Sequence, residues 1–132
     1  RVVGESGRVV TLEGDEGAVR DAGENLAAFD WVDAFAGNVD REGVVDLSGQ
    51  LGAVPDVVVA DPPRAGALAV VQSLHAPYLP QRIVYVSCNP ATLARDAAVL
   101  VGKGYAFRAA GILNLFPHTA HIEAVAWFER QM

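Results

Sequence analysis

Residues 83 to 96 read Ile-Val-Tyr-Val-Ser-Cys-Asn-Pro-Ala-Thr-Leu-Ala-Arg-Asp, and no other stretch narrows the possible fold as much. Ile83 to Val86 are β-branched or aromatic and predict a strand. Asn89 offers a side-chain oxygen at a helix N-cap, and Pro90 suits the first helical position, where its missing N–H is no loss. A strand that turns into a capped helix within two residues is a βα unit, and it sets Cys88, the chain's single cysteine, at the helix mouth. A thiol there feels the positive end of the helix dipole, which favours the thiolate, the form that attacks electrophiles. Cys88 is therefore a candidate nucleophile. A lone cysteine without such neighbours is more often a small buried hydrophobe.

The remaining pattern extends this unit into an α/β domain. Arg8 to Leu12 predicts a strand that ends in Glu13, followed by a helix with Ala18, Ala22 and Leu26 on one face. Trp31 to Ala36 reads as a second strand, whereas Val39 to Leu51 is too glycine-rich and mixed to predict a helix. Val57 to Ala60 is a continuous apolar run, as expected of a strand buried on both faces of a parallel sheet. The prolines and glycine of Asp61-Pro62-Pro63-Arg64-Ala65-Gly66 stop it in a rigid turn. Leu68, Val71 and Leu74 recur at helical spacing as far as Pro77, and Leu93, Ala97 and Leu100 mark the helix after Cys88, closed by Gly102 and Gly104. Tyr105 to Leu113 and His121 to Phe128 read as two further strands. Alternating strands and helices with apolar strands predict a mostly parallel sheet.

At 132 residues the chain suits one domain, and with 52% hydrophobic and 20% charged residues it is neither disordered nor fibrous. No apolar run is long enough to span a bilayer and no charged-then-apolar leader opens the sequence, so a soluble, cytoplasmic protein is expected. One cysteine excludes an internal disulfide, and His118 and His121 lack a third ligand at metal-binding spacing. The charge is unevenly spread. Residues 1–60 hold four arginines against twelve acids, whereas residues 61–132 hold five arginines and Lys103 against four acids. The half with the cysteine is thus mildly basic, although the net charge of −6 speaks against a nucleic-acid-binding surface spread over the whole domain.

Glu13, Asp61 and Cys88 share one kind of position, the carboxyl end of a predicted parallel strand, which is the edge where open α/β sheets bind ligands. A single acid at a strand end is more often a cap or a solvated turn. Three such residues at one edge point to a site.

Three segments, Asp61 to Gly66, Tyr85 to Asp96 and Phe116-Pro117-His118-Thr119-Ala120-His121-Ile122-Glu123, resemble the RNA uridine-5-methyltransferases, an S-adenosylmethionine-dependent family that forms 5-methyluridine in tRNA or rRNA. With the Glu13 unit they span nearly the whole chain in the family's order. The resemblance implies a Rossmann-like class I methyltransferase sheet of seven strands, mostly parallel, with an antiparallel last strand inserted beside the strand that carries the cysteine. It also implies that residues 1–132 are a partial catalytic domain, without the first strand, its glycine-rich cofactor loop and an N-terminal RNA-binding barrel. An antiparallel strand starts at the edge where its parallel neighbour ends, so Glu123 should face Cys88.

By the same resemblance Cys88 is the nucleophile and Glu123 the general base. Glu13 and Asp61 match cofactor-binding positions, and Asn38 lies where the adenine-side loop is expected. Arg64 and Arg95 are candidate contacts to RNA phosphate or base, with a structural ion pair as the competing role. The implied chemistry is methylation of carbon 5 of uracil through a thiolate adduct at carbon 6, on a base out of its stack. The full-length protein is expected to be a monomer, and this chain alone to be inactive. Two other classes compete. Cytosine-5 methyltransferases usually carry the nucleophile in the loop after the fourth strand, but Asp61 to Gly66 holds no cysteine. A noncatalytic nucleotide-binding module would explain the strand-end acids but not Cys88 together with Glu123.

Overall fold

Two aspartates and a glycine organise the first part of the chain. Asp15 accepts hydrogen bonds from the backbone N–H of Gly17 (2.8 Å) and Ala18 (3.2 Å) and so starts helix α1, Glu16–Asn25. Asp40 accepts from Gly43 N–H at 2.9 Å and starts α2, Arg41–Leu51, which Gly52 ends in the left-handed conformation at φ 72°. Strands β1, Val9–Glu13, and β2, Val32–Ala36, pair in parallel from Val9 opposite Val32 to Glu13 opposite Ala36. This computed structural model describes residues 6–75, 79–114 and 122–131. The chain divides into two units, residues 1–54 and 55–132.

The second unit carries a four-stranded sheet in the order β3-β4-β6-β5. These strands are β3, Val57–Ala60; β4, Arg82–Ser87; β5, Tyr105–Leu113; and β6, Glu123–Arg130. β3 and β4 are parallel, while β6 runs antiparallel to both β4 and β5, between them. Helices α3, Leu68–Ser73, and α4, Pro90–Gly102, pack on each other, and α4 packs on β4 and β5. Ile83, Tyr85, Ala126 and Phe128 are buried with Val71 and Leu100 of these helices. Lys103, just after α4, donates to the carbonyls of Gln72 and Leu74 and so closes the end of α3. Tyr105 O–H donates to Pro80 O at 2.6 Å and Arg130 to Leu79 O at 2.8 Å, which fixes the approach to β4. Among the described residues no helix is long and apolar enough to cross a membrane.

The expected α/β architecture with an antiparallel last strand beside β4 is present, and the differences have local causes. The described strands form two sheets rather than one, with β1 and β3 each paired on one side only. The glycine-rich segment 39–51 is helical over most of its length, and one of its two glycines, Gly43, sits where close approach leaves no room for a side chain. A Cβ on Gly43 would lie 2.0 Å from Asn38 O. β3 is not buried on both faces: Val57 and Val59 are 47% and 66% exposed, and as the last strand of its sheet β3 is covered less than β4. α3 stops at Ser73 instead of reaching Pro77, which lies outside the described residues, and Leu74 is already extended at φ −67°, ψ 124°. β6 begins at Glu123, and His118 and His121 lie outside the described residues.

Candidate active site

The turn that presents Cys88 is tied on both sides of the thiol. Ser87, at the buried end of β4, accepts from Asn89 N–H at 3.0 Å and donates its hydroxyl to Asn89 O at 2.8 Å. Asn89 Oδ1 in turn accepts from Ala91 N–H at 3.1 Å, capping α4, with Pro90 at the first helical position. Cys88 is a half-buried free thiol between these two anchors. Its place at the helix mouth follows from the sequence as expected.

The first turns of α4 also hold the loop that follows β3. Asn89 Nδ2 and Thr92 Oγ1 both donate to Arg64 O, at 3.1 and 3.0 Å. Arg95 Nη2 donates to Ala65 O at 2.8 Å. The segment 61–66 is thereby fastened to the cysteine's helix through its backbone, and the Asp61 and Arg64 residues stay exposed. Arg95 is committed differently: Nη2 holds the loop while Nε pairs with Asp96 Oδ1 at 2.9 Å. For Arg95 the geometry favours the structural ion pair over an RNA contact.

Glu123 reaches the same region from β6. The antiparallel ladder ends at Ser87 opposite Ala124, and Cys88 and Glu123 are the next residue beyond that pair on either chain segment. Two residues thirty-five positions apart in sequence thus flank the same end of that ladder. The Glu123 side chain carries a carboxylate oxygen, Oε2, that is shut off from solvent and has no hydrogen-bond partner. A buried carboxylate oxygen without a partner is costly and calls for an explanation, of which a catalytic role is one.

The first unit holds the other two expected positions. Glu13 ends β1, and its backbone carbonyl accepts from Gly37 N–H at 3.0 Å, so the ends of β1 and β2 meet and bring Glu13 and Asn38 to one sheet edge. The Glu13 carboxylate accepts from Asp15 N–H at 3.1 Å and keeps its remaining acceptor capacity. A groove of about 280 Å3 is lined by Leu12, Phe35, Gly37, Asn38, Asp40 and Gly43, among others, but not by Glu13. An exposed carboxylate suits a pair of ribose hydroxyls, and an exposed amide suits the edge of a purine, so the donor set fits a nucleoside. No group of three or more His, Cys, Asp or Glu residues among those described could hold a metal ion.

Sequence reasoning did not single out the buried cluster behind the loop. Asp96 Oδ2 accepts from Tyr85 O–H at 2.5 Å and from Ala67 N–H at 2.8 Å, and Ala67 N–H also reaches Tyr85 Oη at 3.1 Å. Burial pushes the Asp96 carboxyl up, but the hydrogen bonds from Arg95, Tyr85 and Ala67 outweigh it and hold it below the usual carboxylate range. Burial, then the neighbouring Asp96, pushes the Tyr85 hydroxyl well above its ordinary value. One signal was available: Asp96 lies four residues before Leu100, on the apolar stripe of α4.

Residues 33–131 match the family model described as tRNA (uracil-5-)-methyltransferase. A 23S rRNA (uracil(1939)-C(5))-methyltransferase, RlmD, of Chromobacterium violaceum is 46% identical over 97% of this chain and 26% of its own length. The RlmD of Neisseria lactamica is 65% identical over 56% of the chain and 16% of its own length. Among solved structures, Pyrococcus abyssi tRNA (uracil-54, C5)-methyltransferase in complex with S-adenosyl-L-homocysteine is 34% identical, with a TM-score of 0.72, over 92% of this chain and 28% of that one. The chain therefore spans about a quarter of the length of relatives that it matches almost end to end.

Proposed function

The chain belongs to the tRNA (uracil-5-)-methyltransferase family, and from that premise we propose that it contributes the nucleophile and the base for methylating carbon 5 of a uridine in ribosomal or transfer RNA. The observation that carries this reading is that Cys88 and Glu123 each adjoin the terminal Ser87–Ala124 pair of the β4–β6 ladder, with a Glu123 carboxylate oxygen left unpartnered. S-adenosylmethionine, when bound, supplies a methyl group on a sulfonium. Glu13 would hold its ribose and Asn38 its adenine, with Asp61 as a further contact.

Carbon 5 of uracil is too weak a nucleophile to take that methyl group unaided. The Cys88 thiolate adds to carbon 6, forming an S–C6 bond and moving the electron pair of the C5–C6 double bond into an enolate with carbanion character at carbon 5. Carbon 5 would then take the methyl group as the methyl–sulfur bond breaks, its electron pair staying on sulfur to leave a neutral thioether. Glu123 removes the hydrogen from carbon 5 as a proton, the double bond re-forms, and the S–C6 bond breaks to release the thiolate. The base must be unstacked for the thiol to reach carbon 6, so a loop or flipped uridine is the substrate. Arg64, which the described residues engage only through its backbone carbonyl, is the side chain offered to phosphate or base.

Fluorine in place of the carbon-5 hydrogen blocks the proton step. Incubating the complete protein with 5-fluorouridine RNA and S-adenosylmethionine is expected to trap a covalent complex that Cys88→Ala abolishes. No complex with the wild-type protein overturns the proposal. Residues 1–132 alone are expected to be inactive and to bind S-adenosylmethionine weakly, and calorimetry showing tight, stoichiometric binding refutes that.

A further inference from the structure

Among the described residues no hydrogen bond links the buried cluster around Asp96 to either expected catalytic residue, yet it joins the two pieces of backbone that must cooperate in the second unit. One is the 61–66 loop and the start of α3. The other is α4, whose first residue follows the Cys88 turn. Asp96 is fully buried and accepts three hydrogen bonds, from Ala67 N–H and Tyr85 O–H on Oδ2 and from Arg95 Nε on Oδ1. Arg95 then reaches Ala65 O, so the loop is held at successive residues by side chains from one face of α4.

Gly66 shows how closely the parts meet. It sits at φ 82°, and a Cβ there would lie 2.6 Å from Arg95 Nη2 and 2.7 Å from Asp96 Oδ2. The carboxylate and the guanidinium occupy the space that any side chain at 66 would need. Such an arrangement is more than a general stabiliser of the core. An apolar residue at 96 would fill the same volume but could not take the Ala67 N–H or orient Arg95.

We propose that Asp96 is a positioning residue for the methyl transfer: through Ala67, Tyr85 and Arg95 it locks the 61–66 loop to the cysteine's helix, so that groups held by Asp61 and Arg64 and the Cys88 thiol share one rigid frame. The proposal rests on the uridine-methyltransferase reading. Misplacement of a reacting group by about 1 Å can lower a rate by around 100-fold, whereas the thiol's own reactivity depends on its turn, which Ser87 and Asn89 hold independently of Asp96.

The test compares two rates in the complete protein, at a temperature where each variant is folded by circular dichroism. One is single-turnover formation of the adduct on 5-fluorouridine RNA with saturating S-adenosylmethionine. The other is alkylation of Cys88 by iodoacetamide, followed on the Cys88 peptide by mass spectrometry. Asp96→Asn is expected to slow adduct formation about 10- to 100-fold and to leave alkylation within about twofold of wild type. Tyr85→Phe keeps the Asp96 contacts to Ala67 and Arg95 and is expected to slow the adduct by a smaller factor, about 3- to 10-fold. If Asp96→Asn does not fold, Tyr85→Phe decides alone. A folded variant that forms the adduct at the wild-type rate overturns the positioning role, as does a parallel fall in both rates, which would mark general loosening. A wild-type protein that forms no adduct overturns the uridine reading, and the positioning role with it.

Discussion

The two units of this chain are held together by different means. No described residue of the first unit is buried, while the second holds Ile83, Tyr85, Leu100, Tyr105 and Phe128 at 1% exposure or less. The first relies on a two-stranded parallel ladder, two side-chain caps and an exposed ion pair between Arg8 and Asp33. A two-stranded sheet and helices of 10 and 11 residues are marginal without further packing. The second builds the Cys88 turn on a packed core and a buried polar network. The proposed nucleophile and base thus come from the packed unit, whose geometry a covalent step demands, and two of the three proposed cofactor contacts, Glu13 and Asn38, from the less packed one, where binding can itself supply order.

The largest expected contrast is in core truncation. Phe128→Ala removes a ring that is wholly inaccessible and stacks edge-on against Phe107 at 5.5 Å, and should destabilise the second unit by about 3–5 kcal/mol. Phe35→Ala, half-buried on β2, should lower stability by roughly 1–2 kcal/mol. Urea unfolding followed by hydrogen exchange resolves the two units. Equal losses would break the comparison.

How far the sequence revealed this arrangement depends on the range of the interactions. Asn89 and Pro90 announce the start of α4 because a cap and a proline act within one turn, and the start of β6 opposite the end of β4 follows once the last strand is antiparallel. Helix α2 was hidden because Gly43 reads as a helix breaker, whereas its missing Cβ makes room for Asn38 O. The exposure of Val57 and Val59 was hidden because an apolar run says nothing of which faces are covered. The Asp96 cluster joins residues 18 and 29 positions apart from Ala67, and contacts at that range leave no periodic trace. The same range concealed that Arg95 serves the loop.

The buried ionisable groups sharpen the contrast through pH. Burial pushes the Tyr105 hydroxyl up to about 12 from its ordinary value of 10, against the opposing pull of Arg130. A group whose value is raised on folding contributes stability that is complete below its unfolded value and is lost as pH rises through the folded one. The second unit should therefore lose on the order of 2 kcal/mol between pH 10 and 12, and Tyr105→Phe should flatten that limb. Asp96 acts in the opposite direction: its carboxyl is held below 3.8, so its contribution is present above that value and falls away in stronger acid. Thermal melts across both ranges measure these slopes. An unchanged alkaline limb in Tyr105→Phe would assign the loss elsewhere.

Two left-handed glycines separate backbone strain from crowding. Gly52, at the end of α2, has nothing within 4 Å of an added Cβ, so Gly52→Ala should carry only the conformational penalty, about 1 kcal/mol. Gly66→Ala carries that penalty and also drives a methyl into Arg95 and Asp96, so its loss should be larger, roughly 2 kcal/mol or more. Equal values from chemical denaturation would mean that the loop after β3 yields easily, contrary to the clamp.

The smallest effect belongs to the surface pair of the first unit. Arg8 Nη2 meets Asp33 Oδ2 at 3.1 Å, but both side chains are nearly half exposed, at 48% and 46%. In that setting attraction is screened and offset by lost side-chain freedom, so Arg8→Ala should lower stability by less than about 0.5 kcal/mol. Arg95→Gln tests the same chemistry in the second unit, where the partner Asp96 is wholly buried. Removing that cation leaves a buried carboxylate to Tyr85 and Ala67 alone, and the loss should be several-fold greater than at Arg8. A salt titration distinguishes the pairs further, because 1 M sodium chloride should erase what Arg8 contributes and leave most of the Arg95 effect. Similar losses at both positions, with similar salt dependence, would show that the two units are held alike after all.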